Sequence, residues 1–164
     1  MTLNPFDNSR LHGLELADLV VIRGSIIATE GPGVDILQLV RDTHQPNIAL
    51  RLIKGYIFQD SADGVTADVA IACKLTTMET GQDSFDCGDF QQIAWITGGR
   101  ATPQVGQKDY NDIIDPTNLV THELFGEFWT EGNTDTVVNY MFIFQRVELD
   151  DTQALVATLT DYIS

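Results

Sequence analysis

Apolar and polar residues alternate along several short segments of this chain, and turn residues separate those segments. The clearest example is 68–76, in which Val69, Ile71, Cys73 and Leu75 fall on one side of an extended chain. Alternation with a period of two is typical of a β-strand with one buried face. Roughly five to eight such segments at near-regular spacing predict a mainly β protein, an antiparallel β-sandwich or jelly-roll-like barrel.

The same pattern predicts where the other strands lie. The further segments predicted as strands are 19–28, 48–58, 91–97, 119–129 and 137–147. Residues 35–42 favour a short helix, although a strand also fits them. Turn residues predict two hairpins. Asp63 and Gly64 would join 48–58 to 68–76, and residues 131–133 would join the last two strands.

The length of 164 residues fits one domain. Residues 1–16 are polar and predict an N-terminal arm, which leaves 17–164 as a single β-sandwich domain. At its end the period becomes helical, with Leu155 and Leu159 on one face, and predicts a C-terminal helix over 151–163. The start of the chain lacks the basic and apolar regions of a secretory signal. The expectation is therefore that the chain is not secreted by that route or that a leader has already been removed.

The charge excludes some partners. The chain has 24 acidic and 9 basic residues and a formal net charge of -15. Nucleic acid binds through lysines and arginines that neutralise phosphates, so no direct nucleic-acid partner is predicted. Anionic membrane surfaces are disfavoured for the same reason. A carboxylate-rich, lysine-poor composition is typical of halophilic proteins. It also fits an acidic protein from an ordinary environment.

No motif points to catalysis or to a cofactor. The histidines lack the spacing of common zinc sites, and no nucleophile, phosphate-loop or dinucleotide motif is present. We therefore predict a protein that is not an enzyme, with no catalytic residue, metal or cofactor. Acidic clusters at 83–89 and 109–115 are predicted as solvated loops, with a bound cation as the alternative. Whether Cys73 and Cys87 pair is left open.

Aromatic residues concentrate in the last two predicted strands. The interface candidates are Phe125, Phe128, Trp129, Tyr140, Phe142 and Phe144. Phe125, Phe128 and Trp129 fall on both faces of the segment 119–129, so that strand is expected to be buried on both sides. A second layer of the same chain or a partner subunit could cover it.

An N-terminal arm, a β-sandwich with long polar loops and a short terminal helix together resemble a viral coat protein. The run 134–144, followed by Arg146-Val147-Glu148-Leu149, is similar to the final strand of many single jelly-roll capsid proteins of icosahedral viruses. The acidic composition resembles that of membrane-containing icosahedral viruses of halophiles. This resemblance covers most of the chain in pattern only, without a diagnostic motif.

The resemblance implies a structural subunit of a capsid or similar shell, located in the virion. Its partners would be copies of itself in a homo-oligomer, a second shell protein, and a neighbouring internal membrane. The predicted arm departs from many coat proteins, because its only lysine or arginine is Arg10. Direct genome packaging is therefore not expected. The alternative is a carbohydrate-binding or adhesion β-sandwich in which Trp95 or Trp129 stacks on a sugar.

Overall fold

Eight β-strands make up most of the chain that the computed structural model describes, namely residues 18–31, 33–41, 47–59, 70–99, 110–131 and 135–151. The strands are β1 (Leu19–Ala28), β2 (Asp35–Val40), β3 (Ile48–Gln59), β4 (Ala70–Thr76), β5 (Gln92–Gly99), β6 (Tyr110–Ile114), β7 (Leu124–Thr130) and β8 (Thr136–Glu148). The predicted arm and, apart from Asp151, the predicted helix 151–163 lie outside these residues. Within them, no helix is long and apolar enough to cross a membrane.

The strands form two antiparallel sheets that pack face to face. Sheet A has three strands in the order β1-β8-β3, and sheet B has five in the order β2-β7-β4-β5-β6. The ladders that pair β1 with β8, β2 with β7 and β4 with β5 are those of a jelly roll, in which the chain winds as two Greek keys. The predicted jelly-roll-like β-sandwich is therefore confirmed.

The fourth jelly-roll pair, β3 with β6, is joined by side chains. Strand β6 forms its ladder with β5 instead. Lys54 on β3 reaches Asp112 on β6, with 2.9 Å between Nζ and Oδ1, and both side chains are largely buried. This ion pair connects the edges of the two sheets.

The core lies between the inner faces of the sheets. Sheet B contributes side chains such as Ile71, Leu75 and Phe128, and β8 contributes alternate residues from Val138 to Phe144. Gly98 marks a close approach, because a Cβ there would lie 2.9 Å from the carbonyl oxygen of Ile57. The alternation seen in the sequence thus places one face of each strand in a shared core.

Both predicted hairpins are wrong. Strand β3 pairs with β8, and β4 pairs with β5 and β7, so the two halves of the first hairpin lie in different sheets. Strands β7 and β8 are also in different sheets. Turn residues predict a local change of direction, but they do not determine which sheet the next strand joins. Within 35–42, Asp35–Val40 form edge strand β2, not the favoured helix, and β6 lies in a region predicted as loop.

Candidate interaction surfaces

Four of the six predicted interface aromatics lie in the core. Phe128, Phe142 and Phe144 are fully buried, and Tyr140 is 9% exposed. The Tyr140 ring centroid lies 5.5 Å from that of Phe128 and 5.4 Å from that of Phe142, within the range of favourable aromatic pairs. Burial raises the pKa of the Tyr140 hydroxyl.

The other two candidates, Phe125 and Trp129, lie on the outer side of β7 and are also buried. The chain itself supplies a cover, because the β4–β5 loop (residues 77–91) places Phe85 against Trp129, with ring centroids 5.0 Å apart. Burial of β7 on both sides is confirmed. None of the six aromatics is therefore a surface residue of the folded chain, and the aromatic area that suggested a partner is covered internally.

An ion pair is buried beneath the β4–β5 loop. Lys74 and Glu127 are register partners on β4 and β7, and their side chains have no exposed surface. The Nζ of Lys74 lies 3.1 Å from Oε2 of Glu127. It also donates to the carbonyl oxygens of Gln82 and Ser84 in the loop. All three donors of the ammonium group are thereby used.

The Glu127 carboxylate holds the loop from the other side. It accepts hydrogen bonds from the backbone N–H and hydroxyl of Thr80 and from the N–H of Gly81. Gly81 has a φ of 65°, which favours glycine. Burial raises the pKa of the Glu127 carboxyl, but the hydrogen bonds from Thr80, Gly81 and Lys74 together lower it below its ordinary value. Because every donor and acceptor is engaged, this pair fastens the loop and has no capacity left for a ligand.

Sequence reasoning missed this pair. Lys74 alternates with the core residues of β4, so it reads as a solvent-facing residue, and Glu127 reads the same way on β7. The one available signal is that their neighbours on the same face, Ala72, Phe125 and Trp129, are apolar. A charged residue inside such a face needs a partner across the sheet.

The outer surface of the β4–β5 loop is acidic and partly apolar. Its carboxylates are Glu79, Asp83, Asp86 and Asp89, and it contains no lysine or arginine. Its large apolar side chains include Phe90, 68% exposed, and Met78, 50% exposed. No three metal-ligating side chains come together among the described residues. Cys73, buried, and Cys87, exposed in this loop, are both free thiols.

The outer face of sheet A differs from the rest of the surface. It exposes Ile27 (58%), Val21 (48%), Phe58 (45%) and Val137 (40%), although Ile143 on the same face is buried. Ile27 and Val137 are direct register partners. These exposed apolar side chains lie on all three strands of the sheet and make up the apolar patch of this face.

The same face is almost free of carboxylates. Strands β1, β3 and β8 contain one acidic residue, Glu148, at the last position of β8. By register, Arg23, Arg51 and Lys54 point outward with the apolar patch. Lys54 is already paired with Asp112. Arg23 and Arg51 are therefore the cationic groups that this face offers to a partner.

The chain matches no protein-family model, no curated protein and no solved structure. Jelly rolls occur in viral capsid proteins, lectins and cupins, so the strand order by itself assigns no function.

The tryptophans proposed for sugar stacking are both buried. Trp95 is 9% exposed and donates from Nε1 to Oε1 of Gln92, at 2.8 Å. Trp129 is 7% exposed and lies under Phe85. Neither ring presents a free face of the kind that a sugar would cover.

Proposed function

We propose that this chain is a structural subunit of a viral capsid or a similar protein shell, and that it assembles through the outer face of sheet A. The observation that carries the proposal is the apolar, carboxylate-free patch on this face, in a chain with a formal net charge of -15. An acidic surface keeps a protein hydrated and apart from its neighbours. A patch without that protection is where another protein can approach.

Covering this patch would contribute to assembly. A large apolar side chain gains roughly 1.5–3 kcal/mol when it passes from full exposure to burial. The four exposed side chains of the patch are about half exposed, so each would contribute about 1 kcal/mol. Association also loses rotational and translational freedom, so a stable shell needs many such contacts at once.

In this proposal the chain resides in the virion, and its partners are copies of itself. A second shell protein and a neighbouring internal membrane are the further partners that the capsid resemblance implies. The carbohydrate-binding alternative has less support, because the two tryptophans that would stack on a sugar are buried.

The test is to place a carboxylate in the patch and measure association. Ile27→Asp is expected to weaken self-association at least tenfold in sedimentation velocity over a protein concentration series, because the carboxylate loses its water on contact. Ile113→Asp on β6 is the matched control, since Ile113 is 52% exposed and lies on sheet B. Circular dichroism checks that both variants fold.

The outcomes separate clearly. Assembly that is lost with Ile27→Asp and kept with Ile113→Asp supports the proposal. Unmodified protein that stays monomeric at millimolar concentration, and that shows no particles by electron microscopy, overturns it.

A further inference from the structure

Two surfaces on opposite sides of the sandwich are complementary in charge and in apolar character. We infer that the β4–β5 loop of one copy docks onto the outer face of sheet A of the next copy. This inference rests on the proposed function and specifies the contact between neighbouring subunits.

The charges of the two surfaces are opposite. The loop contributes four carboxylates without a lysine or arginine. The outer face of sheet A contributes the exposed Arg23 and the half-buried Arg51, and the central part of its strands has no carboxylate. Acidic residues resume just beyond the strand ends, at Asp18, Glu30 and Asp135. Complementary potentials of this kind fix the orientation of partners and suppress incorrect ones.

The apolar groups are complementary as well. Phe90 is the most exposed of the large apolar side chains in the described part of the chain, and it lies within the acidic loop. The patch on sheet A offers Ile27, Val137 and Phe58 beside the arginines. An aromatic side chain on an apolar patch, surrounded by charge pairs, is the usual arrangement of a strong contact in protein interfaces.

The loop is held in place before any partner arrives. Lys74 and Glu127 hold its backbone through hydrogen bonds, and Gln92 accepts from the N–H of Asp86 at 3.0 Å. At its base, the N–H of Thr77 donates to the carbonyl oxygen of Gln91. A preorganised loop loses little conformational entropy on docking, so more of the contact energy appears as affinity.

The geometry predicts head-to-tail growth. The outer faces of the two sheets point in opposite directions, so one copy can use both surfaces at the same time. A contact between unlike surfaces closes into a ring or continues as an open array. A two-fold dimer through sheet A would instead bring the arginine-bearing faces of two copies together, where like charges repel.

Charge exchange tests this docking. Arg23→Glu and Asp83→Lys each place like charges across the contact and are expected to weaken self-association roughly tenfold, measured by sedimentation velocity. The double variant restores opposite charges in exchanged positions and is expected to recover association to within about threefold of the original protein. Glu79→Lys serves as a second loop position in the same design.

The control separates a local contact from total charge. Combining Arg23→Glu with Glu131→Lys leaves the net charge of the original chain, but Glu131 is an exposed residue outside the loop. Recovery with Asp83→Lys or Glu79→Lys, and not with Glu131→Lys, supports the docking. Equal recovery by all three, or no effect of Arg23→Glu in a protein that assembles, overturns the docking and leaves the shell function in place. An original chain that never associates overturns the proposed function itself.

Discussion

Lys74 is completely buried, which is rare for a lysine. Removing a lysine and a glutamate from water costs several kcal/mol per ion, and their mutual attraction offsets this only with good geometry and further hydrogen bonds. Here those bonds come from the loop that covers the pair. The pair therefore determines where the loop lies, and the hydrogen bonds from the loop offset the cost of removing the two charges from water.

Glu127→Gln is expected to lower the free energy of unfolding by about 3–5 kcal/mol, because it leaves the Lys74 ammonium buried without its counter-charge. Urea unfolding followed by fluorescence measures the change. Asp83→Asn, on the exposed part of the same loop, is the control and should stay within about 0.5 kcal/mol. A Glu127→Gln variant as stable as the control would contradict the structural role of the pair.

The acid stability of the protein should depend on Glu127. Its folded-state pKa is below the ordinary value, since its hydrogen bonds together outweigh the opposing effect of burial. The stability it contributes is therefore complete above the ordinary carboxyl pKa of about 4.3, and is lost as pH falls from there through the lower folded value. Urea unfolding from pH 6 downward should show the stability gap between the original protein and Glu127→Gln narrowing toward acid. A gap that stays constant or widens would contradict this assignment.

Among the elements, the connection from β6 to β7 stabilises the free edge of β3. Asn118 accepts from the N–H of Leu52 at 2.7 Å and donates to its carbonyl oxygen, next to the irregularity between Leu52 and Lys54. Val120 then exchanges two backbone hydrogen bonds with Leu50. The segment thus continues the sheet for a few residues and covers an edge that would otherwise be open to pairing with another chain.

Asn118→Ala is expected to cost about 1–3 kcal/mol of unfolding free energy, because the buried N–H and carbonyl of Leu52 lose their partner. Urea unfolding measures it, and Thr117→Ala at the exposed neighbouring position is the comparison. Hydrogen exchange should show faster exchange at Leu52 in Asn118→Ala only. Unchanged exchange at that amide would show that another group satisfies the edge.

The strands could be predicted from the sequence, but their partners could not. Alternation is a local property, so β1, β3, β4 and β8 were found within a few residues of their ends. Pairing depends on the order of all the strands, and the strands that follow β3 and β7 in the chain lie in the opposite sheet. Strand β2 was only the alternative to a favoured helix, because its adjacent apolar residues, Ile36 and Leu37, fit a helical period as well. The six aromatics were singled out, but most of them lie in the core, and Trp129 is covered by a loop whose position depends on Lys74 and Glu127.

For the whole molecule, the winding of the jelly roll separates two kinds of surface. Sheet A consists mainly of long strands whose outer sides carry apolar, basic and uncharged polar residues, and the β4–β5 loop lies across sheet B and carries carboxylates outward. The chain is strongly acidic overall, yet one face escapes that bias. A uniformly acidic surface would only keep the protein soluble. Because the outer face of sheet A differs from the acidic β4–β5 loop, one copy can associate with the next in a defined orientation.

The net charge also determines how assembly depends on salt. Two bodies with formal charges of -15, about 40 Å apart for chains of this size, repel by about 6 kcal/mol at about 10 mM salt. At about 150 mM the screening length is ~8 Å, and the repulsion falls well below about 1 kcal/mol. Opposite charges in contact, about 4 Å apart, lose much less over this range because they are closer than the screening length.

We therefore expect self-association to strengthen at least tenfold between about 10 and 150 mM NaCl, as measured by light scattering and sedimentation velocity. The control combines Glu30→Lys with Glu131→Lys, two exposed positions outside the loop. Because repulsion scales with the product of the net charges, this variant should show about half the salt dependence of the original protein. Association that weakens over this range would contradict the prediction. It would mean that salt reduces the attraction between the contact charges more than it reduces the repulsion between the net charges.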